Sequence, residues 1–270
     1  MEGSKDLKTL LYPVQELARK AGEIACQGKK AKIKDKPLQG PVSETDLKVE
    51  HFLQETLPPL FPVAGFHGEE SGKQQEREWM WVVDPIDGTT NYIHGIPHFA
   101  ISISLTYCRE SLLGVVYDPA KEEMFTALRG KGAYLNNLPI KVSSCFRLKE
   151  ALIATGFSQV PEWQERNLGI FALLLKKAGS LRRLGSAALD LAYVACGRLD
   201  CFWEIGLNPW DISAGALLVK EAGGKVTDLS GEKNFEEKRE ILASNSQLHR
   251  IVLEEIRKNK SFSHGMFPVA

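Results

Sequence analysis

Residues 79–91, which read WMWVVDPIDGTTN, constrain the fold more than any other stretch, because they place two carboxylates at the end of a short apolar run. Residues 79–83 are apolar and predict a buried strand. Asp84 and Asp87 follow, separated by a proline that cannot donate to a sheet ladder, and Gly88 allows close backbone approach. The sequence therefore predicts that both carboxylates lie where the strand stops pairing.

Two carboxylates on one rigid turn repel each other unless a positive charge lies between them. Carboxylate, carbonyl and water oxygens suit hard divalent cations such as magnesium, calcium or manganese. The amides of Gly88, Thr89 and Thr90 would offer a cradle for an anion beside such an ion if a helix begins there. The pattern favours a combined site for metal and phosphate. An ordinary turn is the alternative, since Asp-Pro and Asp-Gly are common turn dipeptides.

The composition gives no global electrostatic preference for nucleic acid or an anionic membrane. The 270 residues include 34 basic and 34 acidic side chains, so the formal net charge is zero.

The five cysteines are odd in number and form no Cys-x-x-Cys pair, which argues against a disulfide framework and a structural zinc site. The N-terminal segment is charged and no stretch approaches about eighteen apolar residues, so we expect a soluble cytoplasmic protein.

The first half of the chain predicts two helices packed on a mostly antiparallel sheet. Apolar residues at spacings of three and four predict a helix over residues 7–25, which Pro13 would start or kink. Residues 43–46, Ser-Glu-Thr-Asp, have the form of a capping box and predict a second helix with Asp46 as a first-turn acid. Strands are predicted at residues 63–66, 98–107, 112–117 and 123–128.

A lysine-rich segment at residues 29–41 separates the two predicted helices. Its lysines and turn residues predict a mobile, exposed loop with a solvated run of charge. The alternative is a basic flap over an anionic substrate.

The second half alternates helices with strands and predicts a layered α/β arrangement. Helices are predicted at residues 163–178, 186–196, 209–223 and 247–258. Strands are predicted at residues 180–184, 201–205, 225–229 and 240–243. No repeat or linker separates the halves, at about residues 1–150 and 151–270, so we expect residues 1–270 to form a single unit with a cleft between them.

Three motifs resemble the signatures of the inositol monophosphatase family in order and spacing. They are Gly68-Glu-Glu-Ser71, Asp84-Pro-Ile-Asp87-Gly-Thr-Thr-Asn91, and Trp210-Asp-Ile-Ser-Ala-Gly215 followed by Glu221-Ala-Gly-Gly224. The resemblance covers roughly residues 10–255. It implies an α+β fold of the sugar-phosphatase type, a layered αβαβα sandwich. An antiparallel N-terminal sheet and an α/β C-terminal half would have the active site between them.

The resemblance also implies two Mg²⁺ sites. Glu69, Asp84 and the Ile86 carbonyl would hold one ion. Asp84, Asp87 and Asp211 would hold the second, so that Asp84 bridges the two. One ion would lower the pKa of a water that attacks phosphorus in line, and the other would stabilise the departing alkoxide.

Catalytic and substrate-binding roles follow from the same resemblance. Thr89, oriented by Asp46, would help Glu69 to position and deprotonate the attacking water. The residues implied in substrate binding are Asp87, Gly88, Thr89, Ser186, Ala187, Glu204 and Asp211.

The resemblance implies a magnesium-dependent, lithium-sensitive phosphomonoesterase that acts as a homodimer on inositol monophosphate or a similar small polyol phosphate. No nucleic-acid or membrane partner is expected. One alternative keeps the chemistry and changes the substrate to a 3′-phosphorylated nucleotide, histidinol phosphate or fructose bisphosphate. Another alternative is a regulatory protein that binds the transcription machinery. Where the family often has an Asp ahead of Val-Thr, this chain has Gly40-Pro41, so the resemblance does not extend to a third, loosely held metal.

Overall fold

The computed structural model describes residues 7–28, 34–36 and 40–258. Its helices are α1 (Lys8–Gln27), α2 (Glu44–Leu60), α3 (Thr89–Ile93), α4 (Pro161–Leu175), α5 (Ala187–Ala195), α6 (Pro209–Glu221), α7 (Phe235–Lys238) and α8 (Ser246–Lys258). None of these described helices is both long and apolar enough to cross a bilayer.

A hairpin and a large sheet contain the first ten strands. The hairpin pairs β1 (Lys34–Lys36) with β2 (Gly40–Val42). The sheet contains β3 (Gly65–Gly68), β4 (Gly72–Gln74), β5 (Trp79–Asp87), β6 (Ala100–Tyr107), β7 (Glu110–Asp118), β8 (Glu123–Leu128), β9 (Ala133–Leu135) and β10 (Leu138–Ile140). Their order is β10-β9-β8-β7-β6-β5-β3-β4, and every pair is antiparallel except β3 with β5. The predicted antiparallel sheet is therefore confirmed, with one parallel pair.

A smaller, mixed sheet forms in the second half of the chain. Its strands are β11 (Leu152–Thr155), β12 (Ser180–Arg182), β13 (Cys201–Ile205), β14 (Gly224–Thr227) and β15 (Glu240–Asn245), in the order β12-β11-β13-β15-β14. The β11 pairs are parallel and the β15 pairs are antiparallel.

Five layers result from the packing of helices on these two sheets. Helices α1 and α2 pack on one face of the large sheet. Helices α5 and α6 lie between the sheets, with α6 against β5 to β8 and α5 against β11, β13 and β15. Helices α4 and α8 cover the outer face of the small sheet. Buried apolar clusters fill the interfaces, and the expected αβαβα sandwich is confirmed.

Several local predictions differ from the structure. Pro13 lies inside α1, so it does not start that helix. The predicted strand at 63–66 begins at Gly65 and ends at Gly68. The lysine-rich segment at residues 29–41, predicted as a loop or alternatively a basic flap, is partly strand, since β1 pairs with β2. Its residues 29–33 and 37–39 lie outside the described residues. Elements of only three or four residues were not predicted: β4, β9, β10, β11 and α7.

Candidate active site

A bulge in β5 brings Asp84 and Asp87 to the same place. Asp84 pairs with Ser102 on β6 and Asp87 pairs with Ala100, so two residues of β5 lie opposite one residue of β6. Regular alternation would send side chains three residues apart to opposite faces of the sheet. The prediction that both aspartates lie where the strand stops pairing holds for Asp87, the last residue of β5, but is wrong for Asp84, beyond which the strand continues through a bulge. Pro85 favours this bulge because it has no N–H to donate.

Helix α6 brings the third aspartate to this bulge. The helix begins at Pro209 after the N-cap residue Asn208, and Asp211 accepts the Asn208 N–H at 2.7 Å in a capping box. The Ser102 hydroxyl donates to the Trp210 carbonyl at 3.1 Å, which ties the start of α6 to the residue opposite Asp84. The cap thus serves both the helix and the site.

One carboxylate oxygen from each of Asp84, Asp87 and Asp211 lies within 4.8 Å of the other two. Burial, together with the charges of Glu69, Asp87 and Asp211, raises the pKa of Asp84 well above its ordinary value. Burial and the charge of Asp87 raise the pKa of Asp211 to about 7. A bound cation would therefore relieve the repulsion among these three carboxylates. Because all the available ligand atoms are oxygens, a hard cation fits them best.

Asp87 is oriented by the N-terminus of α5. Its carboxylate accepts the Ala188 N–H at 2.7 Å, the Ala187 N–H at 3.3 Å and the Ser186 hydroxyl. Burial raises the pKa of Asp87 to about 6, against the lowering effect of these hydrogen bonds. A carboxylate at a helix N-terminus is also favoured by the helix dipole.

The turn after β5 places Thr89 beside the aspartates. Gly88 has φ of +96°, and a Cβ there would lie 3.0 Å from the Gly185 carbonyl oxygen. Helix α3 begins at Thr89, whose hydroxyl lies 3.0 Å from Asp46 Oδ1 and 2.9 Å from the Ile86 carbonyl oxygen. Asp46 is buried in the capping box of α2, so the same side chain caps that helix and contacts Thr89.

A cavity of about 450 Å³ joins these groups with a half-buried Glu69, which follows β3. Seven of the predicted site residues line it: Glu69, Asp84, Ile86, Asp87, Gly88, Thr89 and Asp211. The three motifs, which lie far apart in sequence, therefore meet around a single space.

Three predicted substrate-binding residues, Ser186, Ala187 and Glu204, are not part of the cavity lining. Ser186 and Ala187 contact Asp87 and do not line the cavity wall. The Glu204 carboxylate packs against Gly156, and a Cβ on Gly156 would overlap it. Burial and the charge of Asp211 raise the pKa of Glu204 to about 8.

Sequence reasoning missed several residues at the cavity rim. Arg183 and Arg239 line the cavity, and the Arg239 guanidinium lies 4.6 Å from the Trp163 ring centroid and donates to Asn208 Oδ1 at 2.7 Å. No local pattern marks these arginines, since Arg183 follows the three-residue strand β12 and Arg239 follows the four-residue helix α7. Glu50 was also missed. It is an acid within the apolar stripe of α2, which was an available signal.

A second cavity of about 480 Å³ lies beside β3, β5 and α7. Two ion pairs join charged residues of its lining, Lys73 with Glu76 at 2.6 Å and Arg109 with Glu237 at 3.1 Å. Within the described residues, three side chains close enough to share one metal ion occur at the first cavity alone. The first cavity is therefore the candidate active site.

Comparisons with known proteins agree with this geometry. The model of the inositol monophosphatase family matches residues 6–261. "Nus factor SuhB" of Pseudomonas aeruginosa is 41% identical over 93% of this chain and 97% of that protein. "Inositol-1-monophosphatase" of Mesorhizobium japonicum is 40% identical over 82% of this chain and 85% of that protein. The solved structure of inositol monophosphatase from Anabaena has a TM-score of 0.85 at 38% identity and covers 94% of this chain and 97% of that one.

Proposed function

The chain belongs to the inositol monophosphatase family, and we propose that it is a magnesium-dependent phosphomonoesterase acting on inositol monophosphate or a similar small polyol phosphate. The observation that carries this proposal is the convergence of Asp84, Asp87 and Asp211 within 4.8 Å beside a cavity of about 450 Å³. Structural aspartates are neutralised inside a protein, whereas these three need an external cation.

The donor set fits Mg²⁺. The proposed ligands are carboxylate oxygens of Glu69, Asp84, Asp87 and Asp211 with the Ile86 carbonyl oxygen, all of them hard donors. When bound, such ions activate a water and neutralise charge on the phosphoryl and leaving oxygens.

Thr89 orients the attacking water in this proposal. Its hydroxyl has one hydrogen and two acceptors within reach, Asp46 Oδ1 and the Ile86 carbonyl oxygen. Donation to Asp46 leaves the Ile86 carbonyl available as a ligand and the Thr89 oxygen available to accept a hydrogen bond from water. Glu69, half-buried at the same cavity, takes the proton that the water loses.

The phosphate lies at the start of α3 in this proposal. The amides of Gly88 and Thr89 come first in that helix, where backbone N–H groups have no helical partner and favour an anion. The polyol lies toward Glu204, whose carboxylate accepts hydrogen bonds from its hydroxyl groups. We also propose that residues 1–270 form one unit that assembles as a homodimer, which sedimentation equilibrium tests.

The test is a panel of phosphate esters assayed with Mg²⁺ and with EDTA. The panel contains inositol 1-phosphate, histidinol phosphate, fructose bisphosphate and a 3′-phosphorylated nucleotide. We expect hydrolysis only with Mg²⁺ and the highest kcat/KM for the inositol ester. No Mg²⁺-dependent hydrolysis of any ester would overturn the proposal, and a preference for another ester would replace the substrate alone.

Substitution of Thr89→Val tests the role of the hydroxyl, since it preserves volume. We expect kcat to fall by about tenfold or more while the half-saturating Mg²⁺ concentration changes little. A loss confined to metal binding would make Thr89 a structural turn residue.

Lithium inhibition follows from the same site. A small monovalent cation among Asp84, Asp87 and Asp211 neutralises these carboxylates incompletely. We expect inhibition to be uncompetitive with respect to substrate. Purely competitive inhibition, or none at about tens of millimolar lithium, would contradict this expectation and leave the phosphatase proposal standing.

A second candidate function is a regulatory role in transcription, favoured by the relatives named "Nus factor SuhB". The zero net charge gives no electrostatic support for direct nucleic-acid binding. Co-purification of the transcription machinery with the Asp84→Asn protein would support this role. If the transcription machinery does not co-purify, the enzymatic role is the sole proposal that stands.

A further inference from the structure

Glu50 is a buried acid that the proposed chemistry does not use. It lies on α2 with 3% of its surface exposed, in the same stripe as Leu53 and Leu57, which are fully buried. A carboxylate in such a position is costly unless its oxygens are hydrogen-bonded. Its partners therefore identify what it does.

Both Glu50 oxygens accept hydrogen bonds from the turn that carries Glu69. Oε2 accepts the Glu70 N–H at 2.8 Å, and Oε1 accepts the Ser71 N–H at 2.7 Å. Hydrogen bonds to an ionised carboxylate are stronger than neutral ones, and two on adjacent amides fix the direction of the backbone.

Gly68 provides the space for this contact. A Cβ on Gly68 would lie within 3 Å of both Glu50 carboxylate oxygens, the nearer being Oε2 at 2.4 Å. On the other side of the turn, Gly68 pairs with Val83, and the Glu69 N–H donates to the Val83 carbonyl at 3.3 Å. Glu69 is thus held by the sheet before it and by Glu50 after it.

One face of α2 therefore fixes two turns of the site. Asp46 and Glu50 are four residues apart, which places them one above the other on a helix. Asp46 contacts Thr89 after β5, and Glu50 contacts the turn after β3. The helix sets the distance between the two turns.

We propose that Glu50 is a positioning residue that clamps the turn at residues 68–71 and so directs Glu69 toward Asp84. This inference rests on the proposed function, in which Glu69 is a metal ligand. Partners that orient metal ligands affect metal affinity by about ten- to a hundredfold.

The test compares Glu50→Gln with Glu55→Gln, a matched control on the same helix whose side chain is 66% exposed. Glutamine keeps the size of Glu50 but offers one acceptor oxygen and places an NH₂ against the second backbone N–H. The readouts are Mn²⁺ affinity by electron paramagnetic resonance without substrate, hydrogen exchange of residues 65–74 by mass spectrometry, and thermal unfolding.

For Glu50→Gln we expect Mn²⁺ affinity to fall about ten- to a hundredfold and exchange in residues 65–74 to quicken. Glu50→Asp, which keeps the charge and both acceptors, should lie between Glu50→Gln and the wild type. Glu55→Gln should match the wild type. Wild-type Mn²⁺ affinity and exchange in Glu50→Gln would overturn the proposal, as would a lower unfolding temperature without any change in Mn²⁺ affinity.

Gly68→Ala tests the clamp from the other side if Glu50→Gln does not fold. The added methyl group displaces the Glu50 carboxylate, so we expect the same loss of Mn²⁺ affinity with Glu50 intact. Unchanged affinity in Gly68→Ala would overturn the proposal. A wild-type enzyme without Mg²⁺-dependent hydrolysis would overturn the proposed function, whereas Mn²⁺ affinity and exchange test Glu50 independently of turnover.

Discussion

Two sets of aspartates, one fully buried and one buried or half-buried at the candidate active site, differ in how their charge is balanced. Asp118 and Asp228 have fully buried side chains, and each has a lysine partner, Lys121 at 2.6 Å and Lys238 at 2.5 Å. Each also accepts backbone N–H groups from the turn that it closes. In contrast, the site aspartates at 84, 87 and 211 face one another, and no lysine or arginine of the described chain forms an ion pair with them.

The contrast distinguishes the structural aspartates, which have lysine partners, from the site aspartates, which are the proposed ligands of a cation. Burial alone would raise the pKa of Asp228, but hydrogen bonds from Lys238, Glu232 and Ser230 outweigh it and lower that pKa. At Asp84 and Asp211, burial and neighbouring carboxylates raise the pKa. The first set stabilises the fold, whereas the mutual repulsion of the second set destabilises it, which is the cost expected of the proposed cation site.

The largest expected effect is that of Asp84→Asn. We expect turnover at ordinary Mg²⁺ to fall by about a hundredfold or more, because the variant loses charge from the metal ligand set. In EDTA the variant should unfold at the same temperature as the wild type or higher, since one of three repelling carboxylates is gone. Steady-state kinetics and thermal unfolding measure the two effects. Near-normal turnover with a lower unfolding temperature would place Asp84 among the structural acids.

His249 extends the comparison to a buried base. It is fully buried and bonded to the hydroxyls of Thr227 at 2.9 Å and Ser244 at 3.1 Å, and burial, with a smaller effect of Lys225, lowers its pKa to about 4. The unfolded chain therefore takes up a proton that the folded protein does not, so stability falls as the pH drops below about 6.5 toward 4.

Replacement of His249 by Gln removes the pH-dependent loss of stability that His249 causes. The wild type should lose about 2 kcal/mol more than His249→Gln between pH 7 and pH 5. Urea unfolding of both proteins at the two pH values measures the difference. Equal losses would mean that His249 is protonated in the folded protein.

The smallest effect is expected for Asp228→Asn. The amide still accepts from the backbone of the turn, and Lys238 is 39% exposed, so we expect a loss of about 1 kcal/mol in the free energy of unfolding. Turnover with Mg²⁺ should not change at a temperature where the protein is folded. Denaturant unfolding and steady-state kinetics provide the check, and a fall in turnover comparable to that of Asp84→Asn would remove the distinction between the two sets.

Long elements with a strong pattern were predicted well from the sequence. The helix predicted at residues 247–258 differs from α8 by one residue, and the capping box at Ser43 begins α2 as predicted. Several short elements, such as β4, β9 and β11, were missed because three or four residues carry little periodicity, and their pairing depends on neighbours such as β13 beside β11. The bulge in β5 was missed because a change of register is a property of two strands together.

The sequence by itself determined most of the helices and strands and the three motifs, because hydrophobic period, capping residues and turn residues act over short distances along the chain. The αβαβα order of the layers was expected only from the resemblance of these motifs to a family. Only the tertiary structure decided which acids face one another. Asp84 and Asp211 meet because a bulge and a helix cap converge, and Glu50 reaches the Glu69 turn because Gly68 leaves space for it. Such contacts join residues that are distant in sequence, and their energy depends on burial and separation, which no local pattern contains.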